Sequence, residues 1–146
     1  MRTFEDFTAE ATFALPSQPV TRADIIAFAA EFDPQPFHLA EPPPDAMVGG
    51  LIASGWHVCA ILMRMLCDGL LLDSTCLGSP GIDTLKWLRP VRAGDTLSGR
   101  VTVLAARTSA SRPERGIVRF RHELFNQASE PVLVMENPIL FGRRAP

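Results

Sequence analysis

Residues 54–67 read SGWHVCAILMRMLC, and the character of that run sets the fold. Trp56, Val58, Cys59, Ala60, Ile61, Leu62, Met63, Met65 and Leu66 leave almost no polar side, the pattern of a helix enclosed by other structure. The wider apolar stretch, residues 51–72, is long enough to span a membrane, but His57, Arg64, Asp68 and glycines interrupt it. It reads as a core helix at the centre of the fold.

What covers that helix comes after it. Residues 81–91, 96–106, 116–127 and 132–141 are rich in Val, Ile, Leu and Phe and bounded by turn residues, which predicts four strands. Ala93-Gly94-Asp95 and residues 127–130 read as hairpin turns, and residues 108–115, with Pro113 and two serines, as a longer loop. In the third strand Val118, Phe120, His122 and Leu124 share one face while Arg119, Arg121 and Glu123 share the other, so His122 is a packing histidine. One buried helix followed by antiparallel strands gives the α+β class, a long central helix wrapped by a curved antiparallel β-sheet.

Ahead of the central helix, a short strand is expected at residues 11–15, ended by Pro16 and Pro19. Thr21-x-x-Asp24 then resembles a capping box, and Ile25, Ile26, Phe28, Ala29 and Phe32 form a stripe at helical spacing. This helix stops at Asp33-Pro34. The chain from His38 to Gly50 runs over the surface, with an irregular loop at residues 41–45 around Pro42-Pro43-Pro44.

Between the two helices lies the best candidate for chemistry. Asp33 and His38 sit five positions apart on a segment that Pro34 and Pro36 are expected to keep out of helix. A carboxylate can take a proton from water and an imidazole can supply the other half of the transfer, which suits addition or loss of water across a polarised double bond. Neither needs a metal for that. Asp33 lies just past a helix C-terminus, where the dipole is expected to oppose its ionisation slightly. Ser54 and Gly55 open the central helix, and their region offers unpaired backbone N–H groups to a developing oxyanion. His57, in the first turn, reads as a hydrogen-bonded structural histidine.

Composition excludes several classes. The chain has 146 residues, 47% hydrophobic and 21% charged, which suits one domain over residues 1–146 with a sizeable core. A net charge of −2 gives no general attraction to nucleic acid. Cys59, Cys67 and Cys76 match no zinc or redox spacing, and the acidic N-terminus lacks a signal peptide's apolar core, so a cytoplasmic location is expected.

Asp33-x-Gln35-Pro36-Phe37-His38, followed by Ala53-Ser54-Gly55 at a helix start, resembles the hydratase motif of the MaoC-like dehydratases, the family of (R)-specific enoyl-CoA hydratases. Gln35 stands where Asn is commoner, and Phe37 where an aliphatic residue is commoner. The resemblance extends through Gly81-Ile82-Asp83, the run WLRPVRAGD at residues 87–95, and Asn126-Gln127. It implies a single hotdog fold assembled as a homodimer or dimer of dimers. The implied reaction is reversible hydration of a trans-2-enoyl thioester of coenzyme A to an (R)-3-hydroxyacyl product, with no metal and no cofactor besides the CoA of the substrate. In that reading Asp33 activates water, His38 orients it, and Gly55, with Ser54 beside it, receives the thioester carbonyl. Arg89, Arg107, Arg112 and Arg115 are candidates for the CoA phosphates, although solvent exposure explains each equally well. Two alternatives stand beside it. One is a hotdog acyl-CoA thioesterase, for which Asp68 lies too far down the helix; the other is a non-catalytic acyl-thioester-binding subunit of a heteromeric dehydratase.

Overall fold

The structure, a computed structural model, describes residues 1–41 and 47–144. Pro42, Pro43, Pro44 and Asp45 of the expected irregular loop lie outside the described residues. In chain order the elements are β1 (Thr12–Pro19), α1 (Arg22–Phe32), α2 (Pro36–Leu39), α3 (Gly55–Leu66), β2 (Cys76–Gly78), β3 (Thr84–Trp87), β4 (Thr96–Thr108), β5 (Arg115–Phe125) and β6 (Pro131–Gly142).

The strands form one antiparallel sheet in the order β1-β4-β5-β6, with β2 and β3 both pairing the far side of β6. Alternation of side chains decides which face is the core. Val118, Phe120, His122 and Leu124 of β5 are fully buried and meet Val58, Leu62, Met65 and Leu66 of α3 in one cluster with Val101, Val103, Met135 and Phe141. The outward positions carry cross-strand ion pairs: Arg100 with Glu123 and Arg121 with Glu136, each at 2.8 Å between directly opposed residues. The curled sheet wrapped around α3 is the α+β hotdog architecture.

Several local expectations are corrected. The sheet encloses only one side of α3, so Trp56 and Met63 remain 60% and 48% exposed on a helix whose sequence reads as buried all round. The helix also continues past Leu66 as a π-helical turn, Cys67–Leu71. There Gly69 lies against β1: a Cβ on it would come within 2.8 Å of Pro16 Cδ. β1 does not stop at Pro16 but runs to Pro19 with a bulge between Leu15 and Gln18. Proline is tolerated because β1 pairs only β4 and has a free outer edge.

The strand expected at residues 81–91 shrinks to β3, Thr84–Trp87, an edge strand bonded on one side, while the short β2 carries no period that would announce it. The segment held to be non-helical makes one helical turn, α2, because Pro36 occupies its first position, where the missing N–H is unneeded. α1 starts as expected, with Thr21 Oγ1 accepting from the Asp24 N–H at 3.1 Å.

Candidate active site

The end of α1 and the single turn of α2 bring a carboxylate and an imidazole face to face. The N–H of Asp33 closes α1 on the Ala29 carbonyl at 2.9 Å, and the Gln35 N–H bonds the Asp33 carbonyl at 2.8 Å, folding the chain back so that α2 presents His38 to Asp33. His38 is 5% exposed. Its Nδ1 lies 2.7 Å from the Ile52 carbonyl, which can only accept, so Nδ1 carries a proton. That fixes Nε2, 3.2 Å from Asp33 Oδ2, as the nitrogen able to exchange a proton at the site.

Asp33 is held from three directions. Ser54 Oγ donates to Oδ2 at 2.7 Å, Gln35 Nε2 donates to Oδ1 at 2.7 Å, and His38 faces Oδ2. The Ser54 bond foremost, then the Gln35 bond, with a smaller contribution from His38, hold the Asp33 carboxyl below the usual aspartate range despite an opposing effect of burial. This reverses the expectation from the helix dipole. A terminal dipole is worth about 0.3–1 kcal/mol, whereas hydrogen bonds to a charged group are worth about 1.5–3 kcal/mol each.

Ser54 is wholly buried and does not line the cavity beside Asp33. Besides bonding Asp33, its Oγ accepts from the Trp56 N–H at 3.3 Å, capping α3. Its side chain is thus committed to positioning Asp33 and starting the helix. Gly55 follows as the first residue of α3, with no carbonyl one turn back for its N–H to reach. Glycine is required here for a reason the sequence did not disclose. A Cβ on Gly55 would lie 2.6 Å from Trp87 Cε2, and Trp87 Nε1 donates to the Gly55 carbonyl at 2.9 Å. The indole fills the space left by the absent side chain, and only the N–H side is left for a ligand.

Asp33, His38, Gly55, Trp56, Trp87 and Arg89 line one cavity of about 430 Å³. Of the four arginines singled out, the structure brings Arg89 to this space, with Nη1 3.2 Å from Glu130 Oε2. Arg107 near the end of β4, Arg112 in the β4–β5 turn and Arg115 at the start of β5 do not line it. The contacts of Trp87 with Gly55 and of the Gln35 amide with Asp33 are what sequence reasoning did not foresee. His57 is not hydrogen-bonded through Nδ1: its ring stacks on Phe28 at 4.8 Å, 9° from parallel, and burial pushes its pKa down.

The Asp33 geometry carries a pH prediction. With its pKa depressed, Asp33 stays a base below the ordinary aspartate range, so the acid limb of kcat/KM for a reaction that uses it lies there too. Ser54→Ala removes the largest depressing contact and moves that limb upward, towards the ordinary value. The same linkage makes the Asp33 bonds stabilising above the unfolded aspartate pKa and lost as pH falls through the folded one. Rate profiles of both proteins between pH 3 and 8 check this; coincident acid limbs would remove Asp33 as the titrating group.

Comparison with known proteins gives consistent relatives. The pattern of the MaoC like domain matches residues 6–123. A MaoC-like dehydratase from Rhodospirillum rubrum is 41% identical, with each chain covered over 100% of its length and a TM-score of 0.92. An uncharacterized protein of Bacillus subtilis, YdeM, is 29% identical over 140 residues, 95% of this chain and 98% of the relative. The (R)-hydratase PhaJ1 from Pseudomonas aeruginosa, 24% identical over 97% of this chain and 86% of its own, shares the fold at a TM-score of 0.76.

Proposed function

Because this chain belongs to the MaoC-like domain family, we propose that it catalyses reversible hydration of a trans-2-enoyl thioester of coenzyme A to an (R)-3-hydroxyacyl thioester. The observation that supports this best is the 3.2 Å contact between Asp33 Oδ2 and His38 Nε2 at the wall of a cavity that also holds the start of α3. An acid–base pair and a helix-terminal N–H converge on one space.

In the proposed reaction the thioester carbonyl accepts a bond from the Gly55 N–H, which draws electrons from the double bond and leaves the β-carbon open to attack. Asp33 and His38 approach too closely for a water between Oδ2 and Nε2, so the reacting water rests against the pair. One member removes a proton as the water oxygen bonds the β-carbon. The other returns a proton at the α-carbon, and the pair ends with the protons it began with. In this reading Arg89, which lines the same cavity, is the candidate for a phosphate of CoA and would share its guanidinium with Glu130. The chemistry needs no metal and no cofactor beyond the CoA of the substrate.

The thioesterase alternative loses ground because Asp68 is paired with Arg64 at 2.8 Å beyond the end of α3 and does not line the cavity. For assembly, we take a homodimer. Trp56, Ile82, Trp87 and Leu88, between 45% and 60% exposed, lie beside β3, which has a strand on one side only.

The test is loss of the enoyl-thioester absorbance of crotonyl-CoA, with a thiol reagent in parallel. Hydration is expected without thiol release. Free thiol would establish a thioesterase; binding without either signal calls for a panel of longer and carboxylated enoyl thioesters, and silence with all of them would establish a non-catalytic acyl-thioester subunit.

A further inference from the structure

A second cavity, about 360 Å³, lies further along the same helix. Val58 lines the first and Cys59 the second, and Met63 and Leu66 carry the second one down α3 opposite Met135 and Ile139 of β6. Cys59 is four residues from Gly55, ~6 Å along the axis, so this space is within reach of the acyl tail of a thioester held at Gly55, past the edge of the Trp87 indole. The wall is apolar except where Asn137 and Ser79 face it.

Asn137 is the anomaly. It occupies an inward position of β6 between Met135 and Ile139 and is 7% exposed, where an aliphatic residue would serve the core without the cost of burying an amide. Its Oδ1 lies 2.7 Å from Nε2 of His122, a residue with no exposed surface, and its Nδ2 donates to Ser79 Oγ at 3.1 Å. Ser79 Oγ spends its proton on the Pro138 or Gly81 carbonyl and so can only accept from Asn137, which puts Nδ2 on Ser79 and Oδ1 on His122, whose Nε2–H donates; burial also pushes the His122 pKa down. The oxygen is thereby assigned, and so is the nitrogen. One Nδ2–H goes to Ser79; the other has no partner among the described residues and is left for whatever fills the cavity.

Resting on the hydratase reading, we infer that Asn137 selects an acyl tail bearing a neutral oxygen acceptor, such as a hydroxyl or ether, over a plain alkyl tail. A carboxylate tail is disfavoured because no cationic side chain among the described residues lines the cavity, and an ion there would lose its hydration without a counter-charge. An alkyl tail leaves the amide N–H buried and unpaired, a penalty that converts to about 10- to 100-fold in selectivity.

The experiment compares enoyl-CoA thioesters of one chain length ending in methyl, hydroxyl or carboxylate, with affinities of the saturated analogues read in parallel from tryptophan fluorescence. Wild-type protein is expected to favour the hydroxyl chain by about 10- to 100-fold in kcat/KM and in affinity over the other two. Asn137→Leu is expected to abolish that preference while still turning over the methyl chain. Ser79→Ala, which leaves the Asn137–His122 bond in place, is expected to keep it. Equal or better use of the methyl or carboxylate chain by wild type, or a preference that survives Asn137→Leu, would overturn the inference. Absence of hydration with every chain would defeat the hydratase reading instead, and the affinities would still decide the role of Asn137. Should Asn137→Leu not fold, the wild-type preference and Ser79→Ala stand without it.

Discussion

Asp33→Asn is expected to lower kcat/KM for the proposed enoyl-thioester hydration by about 10²- to 10⁴-fold, the range typical of a positioned acid–base residue. The substitution keeps the shape of the side chain and leaves the Ser54 hydroxyl free to turn and donate or accept, so the fold and KM change little while kcat falls. What disappears is a group able to take a proton from water. His38→Ala is expected to fall comparably, and the double variant to fall scarcely further, because two residues that share one proton transfer act as a unit. The measurement is initial rate against substrate concentration for the three variants, with circular dichroism to verify folding. An Asp33→Asn enzyme within threefold of wild type would remove the pair from the chemistry and leave the Gly55 N–H as the remaining catalytic feature.

The second large effect is on stability. Phe120→Ala is expected to cost about 3–5 kcal/mol, as truncations of large buried aromatic side chains do. Phe120 has no exposed surface and meets Phe7 edge-on at 5.5 Å and Phe141 at 6.0 Å, so the lost ring leaves a void that three elements would have to collapse to fill. Typical domains hold about 5–15 kcal/mol in all, so the variant is left marginal. Urea unfolding followed by far-UV circular dichroism reads the difference. A cost below about 1 kcal/mol would mean that the aromatic cluster repacks freely.

These two predictions rest on features that the sequence showed unequally. The alternation of Val118, Phe120, His122 and Leu124 with charged residues announced both the core face of β5 and the burial of His122, because side-chain direction in a strand follows parity alone. The enclosed character of α3 was half legible: apolarity marks which residues avoid water, not which neighbour does the covering, and Trp56 and Met63 are only partly covered by the described residues. Local rules misjudged the prolines. Pro16 and Pro36 are breakers in the middle of regular structure, but one sits on a sheet edge and the other at the first position of a helical turn, contexts fixed by the tertiary fold.

For the candidate site, the spacing of Asp33 and His38 suggested that they share one space, and their side chains meet at 3.2 Å because the segment between them is short and bent by its prolines. The state of Asp33 was not legible. It depends on Ser54, 21 positions away, whose hydroxyl outweighs the local dipole. The contact of Trp87 with Gly55 was missed for the same reason: it spans 32 positions and leaves no periodic trace. Asn137 was equally silent, an ordinary amide until β6, β5 and the turn before β3 set it against His122 and Ser79.

The two borders of the sheet are unlike. β1 ends the sheet on one side with Pro16 and Pro19 in the strand, residues that have no N–H to give to a further chain. β3 ends it on the other with Thr84, Leu85, Lys86 and Trp87 and no proline. The β3 border therefore keeps the backbone groups that another strand could bond, while the β1 border carries two residues with no N–H to offer: an addition to the sheet would cost less at one border than at the other.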